Sequence, residues 1–158
     1  MTRLSRSVET PTGPVRLTEE DGSIVRVTWG QGGGDSSPLL DRAAAQLAAY
    51  FAGDLQRFEL PLRPFGSDFQ HAVWREMLRI PYGETRSYGD LAKATDGIAR
   101  AVGSACGANP IPIFIPCHRV LAADKEIGGF SGGKGRETKE QLLTLEGSWP
   151  VQHSFSFC

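Results

Sequence analysis

Three residues of complementary chemistry stand side by side in the stretch IPIFIPCHRVLA, residues 111–122: Cys117, His118 and Arg119. A cysteine attacks as its thiolate, and a nearby cation or imidazole favours that form. Pro116 has a fixed φ and no donor, so it can end the apolar run and aim the residue after it. The run IPIFI reads as a buried strand that presents Cys117 at its end. Neighbours on an extended chain point to opposite sides. His118 then reaches Cys117 only where the backbone turns or a water bridges the two. A third group should orient the imidazole, and Glu146 in the last helix is a candidate that spacing alone does not select. The plainer alternative is an inert buried thiol beside a hydrogen-bonded histidine, since free cysteine is among the most buried residue types.

The remaining composition narrows the classes open to such a thiol. Cys106, Cys117 and Cys158 form no CxxC pair, which argues against disulfides and a structural zinc. A length of 158 residues suits one ordinary domain, or a small domain against a larger one. Hydrophobic content of 40% and charged content of 22% fit a globular chain. The formal net charge is −1, with seven Lys/Arg against eight Asp/Glu in residues 1–64 and ten against ten in residues 65–158. Any nucleic-acid surface must therefore be a local patch. No apolar run reaches the length of a membrane span, and MTRLSRSVETPTG has positive charges without an apolar core behind them. A cytoplasmic protein with no membrane partner is expected. Gly128, Gly133 and Lys134 match the spacing of a phosphate-binding loop, but Gly135 stands where that loop needs Ser or Thr. No nucleotide fingerprint follows a predicted strand, so no cofactor is expected.

The elements that must position the thiol follow from periodicity. GPVRLTEEDGSIVRVTWG reads as a half-buried hairpin about a Glu-Asp-Gly turn, followed by the loop GQGGGDSSP. A helix begins at Asp41 and ends at Gly53. FELPLRPFG reads as a strand passing into a linker, which sets a domain boundary at Pro64: residues 1–64 precede it and 65–158 follow. Ser67 or Asp68 caps a helix that buries Phe69, Val73 and Met77 and stops at Pro81. Ser87 with Asp90 resembles another helix start. Two short helices about Asp96-Gly97 then make a helix-turn-helix candidate over residues 87–108. The second of these is built from small residues, with Arg100 its only long cation. Close packing on a neighbour would explain that, and so would a helix kept slim for approach to a narrow minor groove. A mobile glycine loop, GGFSGGKG, precedes a last helix, RETKEQLLTLEG.

At this point NPIPIFIPCHRVLA resembles the active-site stretch of the O6-alkylguanine-DNA alkyltransferases, and the PCHRV core after an Asn-Pro is specific to them. The resemblance runs over residues 65–147, through VWREMLRIPYGETRSYG, SYGDLAKATDGIARAVGSACGANP and GGFSGGKGRETKEQLLTLEG. It implies an α+β fold: a small N-terminal sheet and helix of ribonuclease H-like type, then a mainly helical, winged-helix-like alkyltransferase domain. It implies a monomer that transfers the alkyl group of O6-alkylguanine, with O4-alkylthymine as a second candidate, in double-stranded DNA to Cys117, once per molecule and without cofactor or metal. His118 and Glu146 would relay the thiol proton through water, and Asn109 would be the hinge to the recognition helix. Arg100 would fill the gap left by a flipped base, and Tyr88 would press on the phosphate beside it and help protonate the leaving purine. Carbonyls at Cys117 and Val120 would read the exocyclic amine of guanine. Ser131 would lie in the loop over O6. Phe130 stands where many relatives carry Tyr, which leaves apolar or stacking contact only. The turn ATDGIAR lacks the family's common Pro, and the N-terminal third has no cysteine for the zinc site of some relatives.

Overall fold

The structure is a computed structural model that describes residues 2–150. Three antiparallel strands come first, β1 (Arg3–Val8), β2 (Val15–Glu20) and β3 (Ser23–Trp29), paired in chain order. Asp21 and Gly22, both at positive φ, make the tight β2–β3 turn. Leu17 lies opposite Val27 in the register, and both are buried. Helix α1 (Pro38–Phe51) covers this face with Leu40, Ala43, Leu47 and Tyr50. It begins three residues before the expected Asp41. Ser37 accepts the Leu40 amide and Pro38 occupies the first turn, where no donor is needed. The expected strand in FELPLRPFG shrinks to a single bridge between Leu62 and Ile24. Prolines on both sides of that bridge remove the donors a longer ladder requires.

Helix α2 (Asp68–Leu78) starts at a capping box between Ser67 and Gln70 and buries Val73, Trp74 and Met77. The Trp74 indole donates to the Ala105 carbonyl at 2.9 Å and fastens α2 to a later helix. Strand β4 (Arg86–Ser87) leads into α3 (Tyr88–Thr95), capped by Ser87 and Asp90. Asp96 closes α3 in the left-handed conformation, and α4 (Ala99–Gly107) follows. A Cβ at Gly97 would stand 2.8 Å from the Phe69 ring, so this turn needs glycine for close approach. Strand β5 (Val120–Leu121) pairs in parallel with β4, Arg86 opposite Val120. That short ladder ties the start of α3 to the segment just after Cys117. Helix α5 (Arg136–Leu145) completes the described fold. Buried side chains of the sheet, α1, α2, α4 and α5 form one continuous core. Among the described residues no helix is long and apolar enough to cross a membrane.

One expectation is corrected here. IPIFI is buried but is not a strand: Pro112 and Ile115 form only an isolated bridge, and Ile113 has φ +75°. Pro112 and Pro116 lack amide donors. The Ile115 amide turns back to Ile111 instead, so the run coils. Cys117 thus opens a one-turn 3-10 helix, Cys117–Arg119, and not a strand end.

Candidate active site

The turn holding Cys117 is fixed from behind. Asn109 donates its side-chain amide to the Ile115 carbonyl at 2.9 Å and accepts the Ile111 amide at 3.0 Å. It thereby joins the end of α4 to the coil that carries the thiol. Because the backbone turns, His118 and Arg119 leave Cys117 in different directions and meet Glu146 at the C-terminus of α5. His118 Nε2 lies 2.8 Å from Glu146 Oε2. Arg119 grips the same carboxylate with two nitrogens, Nε to Oε1 at 2.8 Å and Nη2 to Oε2 at 3.0 Å, and donates Nη1 to the Ile80 carbonyl. The Tyr50 hydroxyl of α1 donates to Oε2 at 2.6 Å. Arg119 is therefore not the cation beside the thiol that adjacency suggested; it neutralises Glu146.

Charge follows from these contacts. Burial disfavours ionised Glu146, but its hydrogen bonds and charge attraction to His118 and Arg119 outweigh that and hold the carboxyl below its usual range. An ionised carboxylate only accepts, so the His118 proton sits on Nε2. His118 Nδ1 is buried with no hydrogen-bond partner among the described residues, and it keeps its lone pair as a base. Burial also lowers the His118 pKa, against the pull of Glu146, so the ring is neutral at physiological pH. Burial raises the Cys117 thiol, opposed by the Asn109 amide and the Lys139 charge. The resting site is thus a thiol with a neutral imidazole, poised to move a proton when an electrophile arrives.

Above the sulfur lies a cavity of about 650 Å³, lined among others by Trp29, Tyr88, Cys106, Cys117 and Phe130. That volume suits an organic ligand of nucleobase size. Burial and the neighbouring thiols push Tyr88 up to about 12, so its hydroxyl keeps its proton and can donate. Burial pushes Cys106 to about 12 as well, which makes it a poor nucleophile. Lys139 reaches in from α5 beneath Tyr88, donating to the Val120 carbonyl at 2.6 Å and the Gly129 carbonyl at 3.2 Å. Burial lowers its pKa to about 8.

Comparison with known proteins places this geometry. The family profile described as the DNA-binding domain of 6-O-methylguanine DNA methyltransferase matches residues 68–148. A Mycobacterium tuberculosis methylated-DNA-protein-cysteine methyltransferase is 43% identical over 157 residues, covering 90% of this chain and 92% of that protein. The chain belongs to this methyltransferase family. A Methanosarcina acetivorans member is 40% identical, over 89% of this chain and 96% of its own. The crystal structure of the M. tuberculosis O6-methylguanine methyltransferase superimposes with a TM-score of 0.82 at 38% identity, covering 96% and 97% of the two chains. The M. tuberculosis OGT in complex with DNA gives 0.81 at 42% identity, covering 91% and 92%.

The residues that the resemblance singled out fall in two groups. Cys117, Asn109, Tyr88, Phe130 and Ser131 surround the cavity, with His118 and Glu146 directly behind Cys117. Val120 is buried, and its carbonyl already accepts from Lys139, which leaves one lone pair for a ligand. Arg100 stands apart, exposed near the start of α4 and outside the cavity lining. Phe130 meets Trp29 edge-on at 5.9 Å, so an N-terminal strand supports the loop over the cavity. Cys158 lies outside the described residues. Sequence reasoning missed Tyr50 and Lys139. A buried phenol on an apolar helix stripe needs a polar partner, which was the one signal for Tyr50. Lys139 had none, since it sits among the charges of RETKEQ like any solvated helix residue.

Proposed function

We propose that this chain repairs double-stranded DNA by direct reversal, moving the alkyl group of O6-alkylguanine to Cys117 in a single irreversible turnover. The observation that carries it is the thiol at the floor of a nucleobase-sized cavity, with a neutral, carboxylate-anchored imidazole behind it. The flipped base enters the cavity between Tyr88 and the 128–135 loop. His118 Nδ1 takes the Cys117 proton through water. The sulfur lone pair forms a bond to the alkyl carbon as the C–O6 bond breaks, and its electrons return to the purine. The proton from the thiol ends on guanine, with Tyr88 assisting as donor. Guanine is restored and Cys117 becomes a thioether, which neither water nor thiol exchange reverses. The Cys117 and Val120 carbonyls read the exocyclic amine, Ser131 faces O6, and Arg100 fills the space the base leaves.

The same reading takes residues 1–64 as a ribonuclease H-like unit. Residues 65–158 form a winged-helix-like unit whose helix-turn-helix is α3 and α4, working as a cytoplasmic monomer. Incubation with duplex DNA containing O6-methylguanine, followed by intact-mass and peptide analysis, tests the reaction. One methyl group per molecule is expected on the peptide containing Cys117, and none in Cys117→Ser. An unmodified protein, or labelling elsewhere, overturns the reading.

A further inference from the structure

We infer that Tyr50, in the N-terminal third, is a positioning residue of the proton relay: its hydroxyl holds Glu146 Oε2 and limits how strongly that oxygen draws a proton onto His118. The inference rests on the relay proposed above. Its basis is one shared atom. Glu146 Oε2 accepts from Tyr50 at 2.6 Å, from His118 at 2.8 Å and from Arg119 at 3.0 Å. Tyr50 is 0% exposed and Glu146 4%, so no solvent can replace the phenol. The contact spans 96 residues of sequence, and it is the point at which α1 touches the chemistry. Tyr50 is itself held edge-on by Phe51 and Tyr82 and tilted against Phe58.

Among the described residues, the charged and titratable groups around the imidazole and its carboxylate are few. Cys117, which keeps its proton at rest, and Arg119 lie on its own turn, Glu146 and Lys139 are on α5 and at its end, and Tyr50 on α1 and Tyr82 after α2 face Glu146. Of these only Glu146 favours the imidazolium, and every donor to its oxygens weakens that attraction. Arg119 does so by charge, and Tyr50 does so by a neutral hydrogen bond on the very oxygen His118 uses. Burial and the adjacent carboxylate both keep the Tyr50 phenol protonated, so it remains a donor over the whole working range. With the phenol present, His118 rests neutral and can receive the Cys117 proton. Without it, Oε2 would be more negative toward His118, and the imidazole would already be protonated over more of the acid range.

Tyr50→Phe removes one oxygen and keeps the ring. The single-turnover rate is measured against pH with free O6-benzylguanine, which bypasses DNA binding. The acid limb of the profile should move to higher pH by on the order of half a unit or more, since hydrogen bonds to charged groups are among the stronger ones. Site-specific 3,5-difluorotyrosine at position 50, a stronger donor of nearly the same size, should move the limb the other way. Profiles that superimpose on the unmodified protein in both variants, whatever their thermal midpoints, overturn the inference. If Tyr50→Phe does not fold, the fluorinated protein alone decides it by the direction of its shift. An unmodified protein that fails to transfer at any pH would instead defeat the proposed reaction, so the two failures are distinguishable.

Discussion

At the scale of single residues, the site is organised around a carboxylate and not around the thiol. Glu146 takes four hydrogen bonds from three side chains, and each comes from a different part of the chain or a different atom of Arg119. Among the described residues Arg119 is the only full positive charge touching it, and the guanidinium also lies over the Tyr82 ring at 5.8 Å. Replacing it with an apolar side chain of similar length leaves a buried carboxylate with neutral donors only. Arg119→Met should therefore destabilise the fold by about 3–5 kcal/mol, the usual cost of breaking a buried ion pair from one side. Urea unfolding followed by tryptophan fluorescence measures it. The variant should also lose alkyl transfer, because an unneutralised Glu146 would hold a proton or keep one on His118.

At the scale of elements, α4 carries the clearest mark of an outside partner. Added Cβ atoms at Gly103 and Gly107 would meet nothing within 4 Å, so neither glycine is required by internal packing. Of the two explanations for this slim helix, packing on a neighbour accounts for Val102 and Ala105, which are buried, but not for these positions. Both glycines line the cavity over Cys117, so the open face leaves room there for a ligand, with Arg100 exposed outside it at the helix's leading end. Gly103→Ala should stabilise the fold by up to about 1 kcal/mol through helix propensity. Gly103→Leu should fold as well yet fill part of that cavity, so it should react poorly with duplex DNA and with free O6-benzylguanine alike. Arg100→Ala should slow repair in duplex by about tenfold or more, a loss of one flipped-base contact, while leaving reaction with free O6-benzylguanine near normal. Rate measurements on the two substrates separate these effects. The helices themselves were legible in sequence, because caps such as Ser67-Gln70 and Ser87-Asp90 act over one turn. IPIFI was not: its apolar content correctly indicated burial, but two prolines and a positive φ at Ile113 turned burial without extension into a coil. Cys117 was legible because its partners' types stood next to it. The role of Arg119 was misread for the same reason, since adjacency in sequence said nothing about which way the 3-10 turn would send it.

At the scale of the whole molecule, the long-range contacts that sequence spacing cannot give are also the ones that bury ionisable groups, and stability must therefore follow pH. Each sign comes from which state binds more protons. His118 is depressed below its ordinary 6.5, so the unfolded chain takes up a proton that the fold refuses, and stability falls as pH drops through 6.5. Glu146 adds a further loss below 4.5, where the unfolded carboxyl protonates first. Lys139 is depressed from 10.5 to about 8, so the unfolded chain binds more protons between those values and stability rises with pH across them. The thiols of Cys106 and Cys117 are raised above 9.0, and the phenols of Tyr50, Tyr82 and Tyr88 above 10.0. These five ionise in the unfolded chain before they can in the fold, so the two thiols oppose Lys139 from about pH 9 and the three phenols join them from about pH 10. One group against none between pH 8 and 9, then one against two, places the maximum near pH 9. Thermal midpoints should accordingly rise from pH 6 to pH 9 and fall by pH 10.5. Lys139→Met should abolish the rise between pH 8 and 9 while leaving the alkaline fall in place, because that fall belongs to the thiols and phenols.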